Sequence, residues 1–341
     1  MIGAVALSAA AFCVLIATAS GFWLLVLNQC LIAAIGSLGL NLLTGYAGQV
    51  SVGNAAFLAI GGFAAVAVAP YAGFPGSIVA GCIACGIVGF IVGLPALRLR
   101  GIYLAISTLA LQYIVVFAFQ KIQLGGSAVS GYSLDYPSLG LVVLDADMKW
   151  AIALLVALAF CVYLCACLVR SRPGRAWAAV REHDIAAAMV GIDVRRYKLL
   201  AFIISSMIIG GSGVLRSYYN GHITYEEFTL DLTVSYVAMI IVGGMASISG
   251  SIIGAFLITG LPFVVQNVAT ELFAASSSSF LLRNLSLINI TIYSVIVMIF
   301  LMFEPRGIAE LLRRSFAYCA RRLSGFRERT LPSSTSLSKV N

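Results

Sequence analysis

Charged side chains are missing from the long N-terminal part of this chain. The first Lys or Arg is Arg98, and apolar stretches of membrane-spanning length come before and after it. Of the 341 residues, 61% are apolar and 10% are charged, whereas a soluble globular protein carries roughly 25% charged residues. The chain therefore has too little polar surface to cover itself in water. This pattern predicts an all-α polytopic membrane protein and excludes a soluble enzyme, a secreted disulfide scaffold and a disordered protein.

Ten apolar windows approach the length needed to cross the hydrocarbon, which takes about 20 helical residues. They lie near residues 3–19, 22–43, 51–69, 76–97, 102–120, 150–169, 198–219, 233–248, 251–268 and 285–303. Residues 1–20 lack the positive n-region of a signal peptide, so we interpret them as the first span. We expect ten spans, with eight or nine as alternatives, because glycine-rich stretches at 45–53 and 243–250 interrupt the pattern. The first of these predicts a broken or re-entrant helix.

Glycine recurs in two further patterns. Gly89 and Gly93, like Gly250 and Gly254, have the small-xxx-small spacing that lets helices approach closely. We expect these pairs to pack helices within this chain, with a dimer contact as the alternative. Residues 48–52 also weakly resemble residues 244–248. Transporters often contain repeats with broken helices near the substrate site.

Positive charges cluster in loops on one side of the expected topology. Seven Lys and Arg residues fall within 170–198 and eight within 306–339. The positive-inside rule places these segments and both termini in the cytoplasm. We therefore expect a transmembrane domain at residues 1–305, with a cytoplasmic segment at 170–196, and a basic, partly disordered cytoplasmic tail at 306–341.

Sequence signatures of catalysis are absent. The chain contains no GxxxxGK[ST], HExxH or GxSxG motif. Its two histidines, His183 and His222, lie on opposite sides of the expected topology. Five cysteines lie in apolar runs, where cysteine packs as a small apolar side chain: Cys82, Cys85, Cys161, Cys165 and Cys167. We expect no enzymatic activity, metal site or cofactor.

The predicted spans hold almost no ionisable side chains, and Arg216, near an outer end, is the exception. Ion-coupled carriers usually keep Asp, Glu or His at membrane depth. Neutral polar side chains occur here instead, and we predict that six of them line a translocation pathway: Asn41, Gln49, Ser51, Asn54, Thr108 and Gln112. For each of the six, simple interhelical hydrogen bonding is an equally weighted alternative. Without an ion site, the energy must come from another protein.

The cytoplasmic segment 170–196 is rich in alanine, which favours helix. We expect Asp184 to N-cap a short helix that Gly191 ends in a left-handed C′ position. Trp177 and Val180 lie three residues apart, on one side of the preceding helix. Two interpretations carry equal weight: the segment docks a partner protein, or it is an amphipathic helix resting on the bilayer surface.

These stretches resemble a known family. Residues 174–202 are similar to the EAA-type cytoplasmic loop of ABC importer permeases, in the form found in LivM-type branched-chain amino acid permeases. Further matches are residues 40–51 with Gly53, residues 97–106, and Gly243 and Gly244 with Gly250 and Gly254. The resemblance covers about residues 22–308. The chain departs from the pattern at Asn54, where the family commonly has histidine.

The resemblance implies an ABC importer permease fold that carries branched-chain or other hydrophobic amino acids across the bacterial inner membrane. The implied partners are a LivH-like second permease subunit, two cytoplasmic ATPases, a periplasmic substrate-binding protein and membrane lipid, with no nucleic acid. Seven residues are expected to couple the chain to an ATPase: Gly174, Arg175, Trp177, Arg181, Glu182, Asp184 and Gly191. The alternatives are the same machinery carrying urea or short amides and, from another class, an ion-coupled secondary carrier.

Overall fold

The computed structural model describes residues 21–274 with gaps at 98–100, 126–129, 136, 140–141 and 144–145, and four isolated positions at 291, 294, 295 and 298. The predicted first span and the C-terminal tail lie outside the described residues, as does nearly all of the predicted tenth span. The described helices are α1 (Gly21–Asn41), α2 (Asn54–Ala96), α3 (Ile102–Gly125), α4 (Asp147–Arg170), α5 (Arg172–Glu182), α6 (Asp184–Met189), α7 (Val194–Asn220), α8 (Leu230–Gly243) and α9 (Ile248–Ala274).

Six helices in this part of the chain are long and apolar enough to cross a membrane: α1 with the π-helical turn Leu42–Tyr46 that extends it, α2, α3, α4, α7 and α9. The shorter α8 is also apolar. Each of the eight predicted windows on described residues contains a helix, which confirms a polytopic all-α protein. The expected end of the window at 233–248 is wrong, because α8 ends at Gly243 and not near residue 248.

Helix α2 contains two of the predicted windows and folds back on itself. Gly73 interrupts it with a φ of 59° and a ψ of −164°, a conformation open to glycine because it has no Cβ. The Ser77 hydroxyl lies 3.5 Å from the carbonyl oxygen of Ala65, twelve residues earlier. The Cys85 thiol lies 3.2 Å from the carbonyl oxygen of Phe57. The two arms, residues 54–72 and 74–96, therefore form an antiparallel hairpin.

The core forms where α7 packs along both arms of α2. A Cβ placed on Gly61 would overlap the backbone of Gly210, and one on Gly213 would overlap that of Leu58. Further along the same seam, Gly89 faces Ser206 of α7. Small residues thus bring backbones into direct contact, as membrane helices require when no hydrophobic effect drives their association.

The other predicted glycine pair also packs within the chain. A Cβ on Gly254 would overlap the carbonyl oxygen of Met239, and a Cβ on Gly250 would lie 2.5 Å from the carbonyl oxygen of Gly243. These contacts hold α8 against α9. The prediction of packing inside the subunit is confirmed for this pair and for the α2 pair, since Gly93 approaches Leu199 of α7.

The loops collect at two opposite ends of the helices. At one end, strand β1 (Tyr132–Ser133) pairs antiparallel with β4 (His222–Ile223), while a short hairpin pairs β2 (Ser138–Leu139) with β3 (Val142–Val143). Asn28 there donates a 3.0 Å bond to the Asp147 carbonyl oxygen. At the other end lie α5 and α6. The chain therefore runs back and forth as the charge pattern predicts, and the positively charged segment lies at a single end.

Candidate functional site

The predicted interruption after α1 is present. The π-helical turn is followed by non-helical residues 47–53, and α2 then begins at Asn54. The Val52 N–H donates a 2.9 Å bond to the Thr108 hydroxyl, and the Thr44 hydroxyl donates to the Gln49 carbonyl oxygen at 3.1 Å. We call residues 47–53 the first break. Side chains thus satisfy part of its non-helical backbone.

A second break, residues 244–247, separates α8 from α9. Ala246 has a φ of 59°, which is a strained conformation for a residue with a Cβ. The Asn41 amide reaches this break from the end of α1. Its nitrogen donates to the Ser247 carbonyl oxygen at 3.0 Å, and its oxygen accepts from the Ala246 N–H at 2.9 Å. The two stretches that resemble each other in sequence thus both form breaks. Asn41, the last residue of α1, connects that helix to the second break.

Gln112 and Thr233 form a second polar connection. The Gln112 oxygen accepts a 2.6 Å bond from the Thr233 hydroxyl, which itself accepts from the Ala55 N–H at 3.1 Å. The Gln112 nitrogen donates to the Thr229 carbonyl oxygen at 3.1 Å. These bonds join α3 to α8 and to the start of α2.

Asn54 differs from the other five residues predicted to line the pathway. All six are buried, and the other five make hydrogen bonds: Ser51 accepts weakly from Gly53, and Gln49 donates to the Lys198 carbonyl oxygen at 2.9 Å. Neither the nitrogen nor the oxygen of the Asn54 amide has a partner among the described residues. The alternative of interhelical bonding describes Gln112, whose partner Thr233 lies in α8. The side chains of Asn41, Gln49 and Thr108 instead form bonds between a helix and a break. Asn54 forms neither kind of bond with the described residues.

The apolar face of the cytoplasmic segment is covered by the chain itself. The Trp177 side chain is 1% exposed, and its indole N–H donates a 2.8 Å bond to the Tyr197 carbonyl oxygen. Val180 is buried on the same face, as is Gly174, where a Cβ would overlap the carbonyl oxygen of Val169. Because protein already covers this face of α5, it does not rest on a bilayer surface.

Asp184 does not N-cap its helix as expected. His183 occupies the N-cap position without a side-chain cap, and Asp184 is the first residue of α6. Its carboxylate instead forms a 2.5 Å ion pair with the Lys198 ammonium of α7. The expected helix end is confirmed: Gly191 has a φ of 86°, and the Ile192 N–H bonds to the Ala187 carbonyl oxygen at 3.1 Å, which is the Schellman pattern.

An apolar surface at the tip of the segment was not predicted. Ile185, Met189 and Val190 have exposed fractions of 69%, 78% and 83%, and we call these three residues the α6 patch. Among the predicted coupling residues, Arg175, Arg181 and Glu182 are exposed on neighbouring turns, and Arg175 donates to the Arg170 carbonyl oxygen. A signal was available in the sequence, since Ile185 and Met189 are four residues apart in a helix whose other residues are Asp184 and three alanines.

Two contacts join the segment to the first break. Gly48 lies against Arg181, where a Cβ would come within 3.0 Å of the Arg181 Cγ. Lys198 contacts both the segment and the first break. Its ammonium forms an ion pair with Asp184 of α6, and its carbonyl oxygen accepts a hydrogen bond from the Gln49 side chain in the first break. The segment therefore contacts the first break directly, without an intervening element.

These features define a polytopic membrane protein with an interrupted-helix core and an anchored helical segment at one end. Residues 22–304 match the family model described as the branched-chain amino acid transport system permease component. The chain belongs to this family.

Individual relatives agree with this assignment. The chain is 32% identical over 255 residues to the high-affinity branched-chain amino acid transport system permease protein LivM of Escherichia coli K12, covering 67% of this chain and 60% of the relative. It is 30% identical over 259 residues to LivM of Salmonella typhimurium LT2, covering 68% and 61%. It is also 29% identical over 203 residues to the probable permease LivH of Methanocaldococcus jannaschii, covering 56% and 61%. The chain thus spans about three-fifths of the length of these curated relatives. No solved structure matches it.

Proposed function

We propose that the chain is the membrane permease subunit of an ABC importer that carries branched-chain or other hydrophobic amino acids across the bacterial inner membrane. Separate subunits hydrolyse the ATP. The working assembly contains a LivH-like second permease subunit, two cytoplasmic ATPases and a periplasmic substrate-binding protein. Family membership and the names of the relatives support this assignment. The single structural observation that carries it is the α6 patch.

The α6 patch has the properties of a docking surface for an ATPase. Three large apolar side chains are exposed at the positively charged end of the molecule, where the charge rule expects cytoplasm and not lipid. The helix that carries them is held in place by the Asp184 ion pair and the buried Trp177. A short apolar helix face of this kind is suited to insertion into a groove on a partner.

The proposed mechanism is a rigid-body switch. ATP-driven closure of the ATPases moves α5 and α6, and the contacts at Gly48 and Lys198 pass this movement to the first break. Asn41 then couples the end of α1 to the second break. The spans reorient around the substrate as one of two packed arrangements replaces the other.

A matched pair of substitutions tests the docking surface. Met189→Glu places a carboxylate in the proposed apolar contact, and we expect it to weaken ATPase binding by about 2 kcal/mol, on the order of thirtyfold in Kd. Met148→Glu makes the same change at the opposite end, where Met148 is 38% exposed, and should leave binding unchanged. The measurements are ATPase copurification and ATP-driven leucine uptake by the assembly in proteoliposomes. Equal copurification of both variants contradicts the proposal.

The same proteoliposomes separate the alternatives. The proposed importer accumulates leucine only with ATP, both ATPases and the binding protein present. Accumulation driven by an ion gradient without nucleotide would identify a secondary carrier. Uptake of urea in preference to leucine would assign the same machinery to amides.

A further inference from the structure

A cavity of about 240 Å³ lies between α1, α7, α8 and α9. It is close to Arg216, near the C-terminal end of α7, and to Leu232, in the first turn of α8. Both positions are at the end of the molecule away from the α6 patch. Pockets for drug-sized ligands start at roughly 300 Å³. This cavity therefore suits a smaller solute, of the size of a single amino acid.

The walls of the cavity are of two kinds. Ile32, Met239 and Ile258 are buried and provide an apolar side. Ser235 and Thr259 contribute hydroxyl groups. A few polar groups on an otherwise apolar wall fix the orientation of a ligand whose remaining surface is apolar.

Arg216 supplies a cation whose charge is balanced but whose hydrogen-bonding capacity is not used up. Its Nε lies 3.6 Å from the Glu227 carboxylate and has no hydrogen-bond partner among the described residues. Glu227 also accepts a bond from Asn220 at 3.3 Å and lies 3.5 Å from the His222 ring. A guanidinium can bind a carboxylate through two parallel hydrogen bonds, and Arg216 borders the cavity.

Thr259, another residue that lines the cavity, also has an unpaired polar atom. The Thr259 hydroxyl is buried and has no partner among the described residues. Leaving such a group unpaired costs about 1–3 kcal/mol. Arg216 and Thr259 both line this cavity, and each has a buried polar atom, Nε or Oγ1, without a hydrogen-bond partner among the described residues. A ligand with a carboxylate and an ammonium group matches the chemistry of these two side chains.

We propose that this cavity is a binding site for a zwitterionic hydrophobic amino acid on its way through the permease. Arg216 binds the carboxylate, and the hydroxyls of Ser235 and Thr259 bind the ammonium group. The apolar side chain of the ligand lies against Ile32 and Met239. The choice of a hydrophobic amino acid rests on the proposed function, whereas the carboxylate site rests on Arg216 itself.

A larger, more open cavity adjoins this site. It measures about 570 Å³ and is lined by Asp147, Trp150 and His222 among others. Gln29 lines both cavities. In this proposal the outer cavity is the approach to the site, on the side where the binding protein would deliver substrate.

Shielding of an introduced thiol tests the site. In the assembled importer without binding protein, the thiol of a Leu232→Cys variant is alkylated by a charged reagent and followed by mass spectrometry of its peptide. Leucine at ten times its Kd should slow alkylation about tenfold, because only the empty site reacts. Isoamylamine, which lacks the carboxylate, and urea should have no effect. Met148→Cys is the matched control, and leucine should leave its rate unchanged.

Substitutions at the charged pair test the role of Arg216. Adding Arg216→Gln to Leu232→Cys should abolish shielding by leucine, and Arg216→Lys should retain part of it. Arg216→Gln alone leaves Glu227 without a counter-charge, which could disturb the fold. The double variant Arg216→Gln with Glu227→Gln removes both charges, and it should also lose shielding by leucine. Glu227→Gln alone should keep it. Equal shielding by isoamylamine, or full shielding in the double variant, overturns the carboxylate site.

Leucine uptake by the complete assembly separates this inference from the proposed function. ATP-driven uptake without shielding at Leu232→Cys overturns the cavity and leaves the importer assignment standing. Shielding without ATP-driven uptake overturns the importer assignment and leaves the cavity as an amino acid site.

Discussion

At the scale of single residues, Asn54 carries a cost that folding alone does not require. Its amide is 1% exposed, and neither polar atom has a partner among the described residues. An unpaired buried polar group costs about 1–3 kcal/mol. Asn54 begins α2 directly after the first break. We propose that its polar side chain serves transport, because an unpaired buried amide does not add to stability.

Asn54→Leu and Asn41→Leu should have opposite effects on stability. Asn54→Leu removes an unpaired amide, so we expect an unchanged or higher thermal unfolding temperature together with lower leucine uptake. Asn41→Leu removes two bonds to the second break, and we expect it to lower the free energy of unfolding by about 1–3 kcal/mol. Thermal unfolding in detergent and uptake in proteoliposomes measure both effects. Full uptake by a stable Asn54→Leu variant would remove Asn54 from the pathway.

The sequence identified candidate polar side chains, but it did not predict their hydrogen-bond and ion-pair partners. The six neutral polar side chains were found because they interrupt apolar runs, and all six are buried. Their bonds could not be predicted, since Asn41 and Ser247 are brought together only by the packing of α1 against α9. Asp184 shows the same limit: its position suggested a local cap, but the stronger partner was Lys198, supplied by another helix.

At the scale of helices, the spans were predictable and their packing was not. Length and apolarity alone define a membrane-crossing helix. The glycines at 45–53 predicted an interruption, which the structure has at residues 47–53. The seam between α2 and α7 depends instead on which glycine meets which backbone. Gly61 and Gly210 are in contact, a register that spacing within one helix does not specify.

Gly61→Ala should destabilise the seam. Its Cβ would overlap the Gly210 backbone, so the helices must separate, and we expect a loss of about 1–3 kcal/mol in the free energy of unfolding. Gly21→Ala is the control, because nothing lies within 4 Å of a Cβ there, and it should be neutral or gain up to about 1 kcal/mol. Chemical or thermal unfolding of the purified protein compares them. Equal stability of the two variants would show that α7 does not pack against α2 with the direct backbone contact at Gly61 and Gly210.

At the scale of the whole molecule, Lys198 is one of the residues that join the cytoplasmic segment to the first break. Lys198 pairs with Asp184 through its ammonium and accepts the Gln49 amide through its carbonyl oxygen. The ion pair therefore fixes the position of α6 relative to the first break. Breaking it should separate ATP hydrolysis from transport while leaving the spans inserted.

A charge exchange tests this connection. Asp184→Lys places two cations together, and we expect several-fold less leucine imported per ATP hydrolysed, with normal insertion in the membrane. Asp184→Lys with Lys198→Asp restores an opposite pair and should recover much of the coupling, although the exchanged side chains differ in length. Uptake and phosphate release are measured on the same proteoliposomes. Undiminished coupling in the single variant would exclude a mechanical role for the ion pair.

The pair of hydrogen bonds between the Asn41 amide and the second break has a consequence for the leakage of solutes through the proposed permease. Because one amide holds both Ala246 and Ser247, the second break cannot slide away from α1 without losing two hydrogen bonds together, each worth about 1 kcal/mol. In the proposed importer, arrangements in which the second break has moved away from α1 by itself are thereby disfavoured. We expect this coupling to limit the leakage of small solutes between ATP-driven steps.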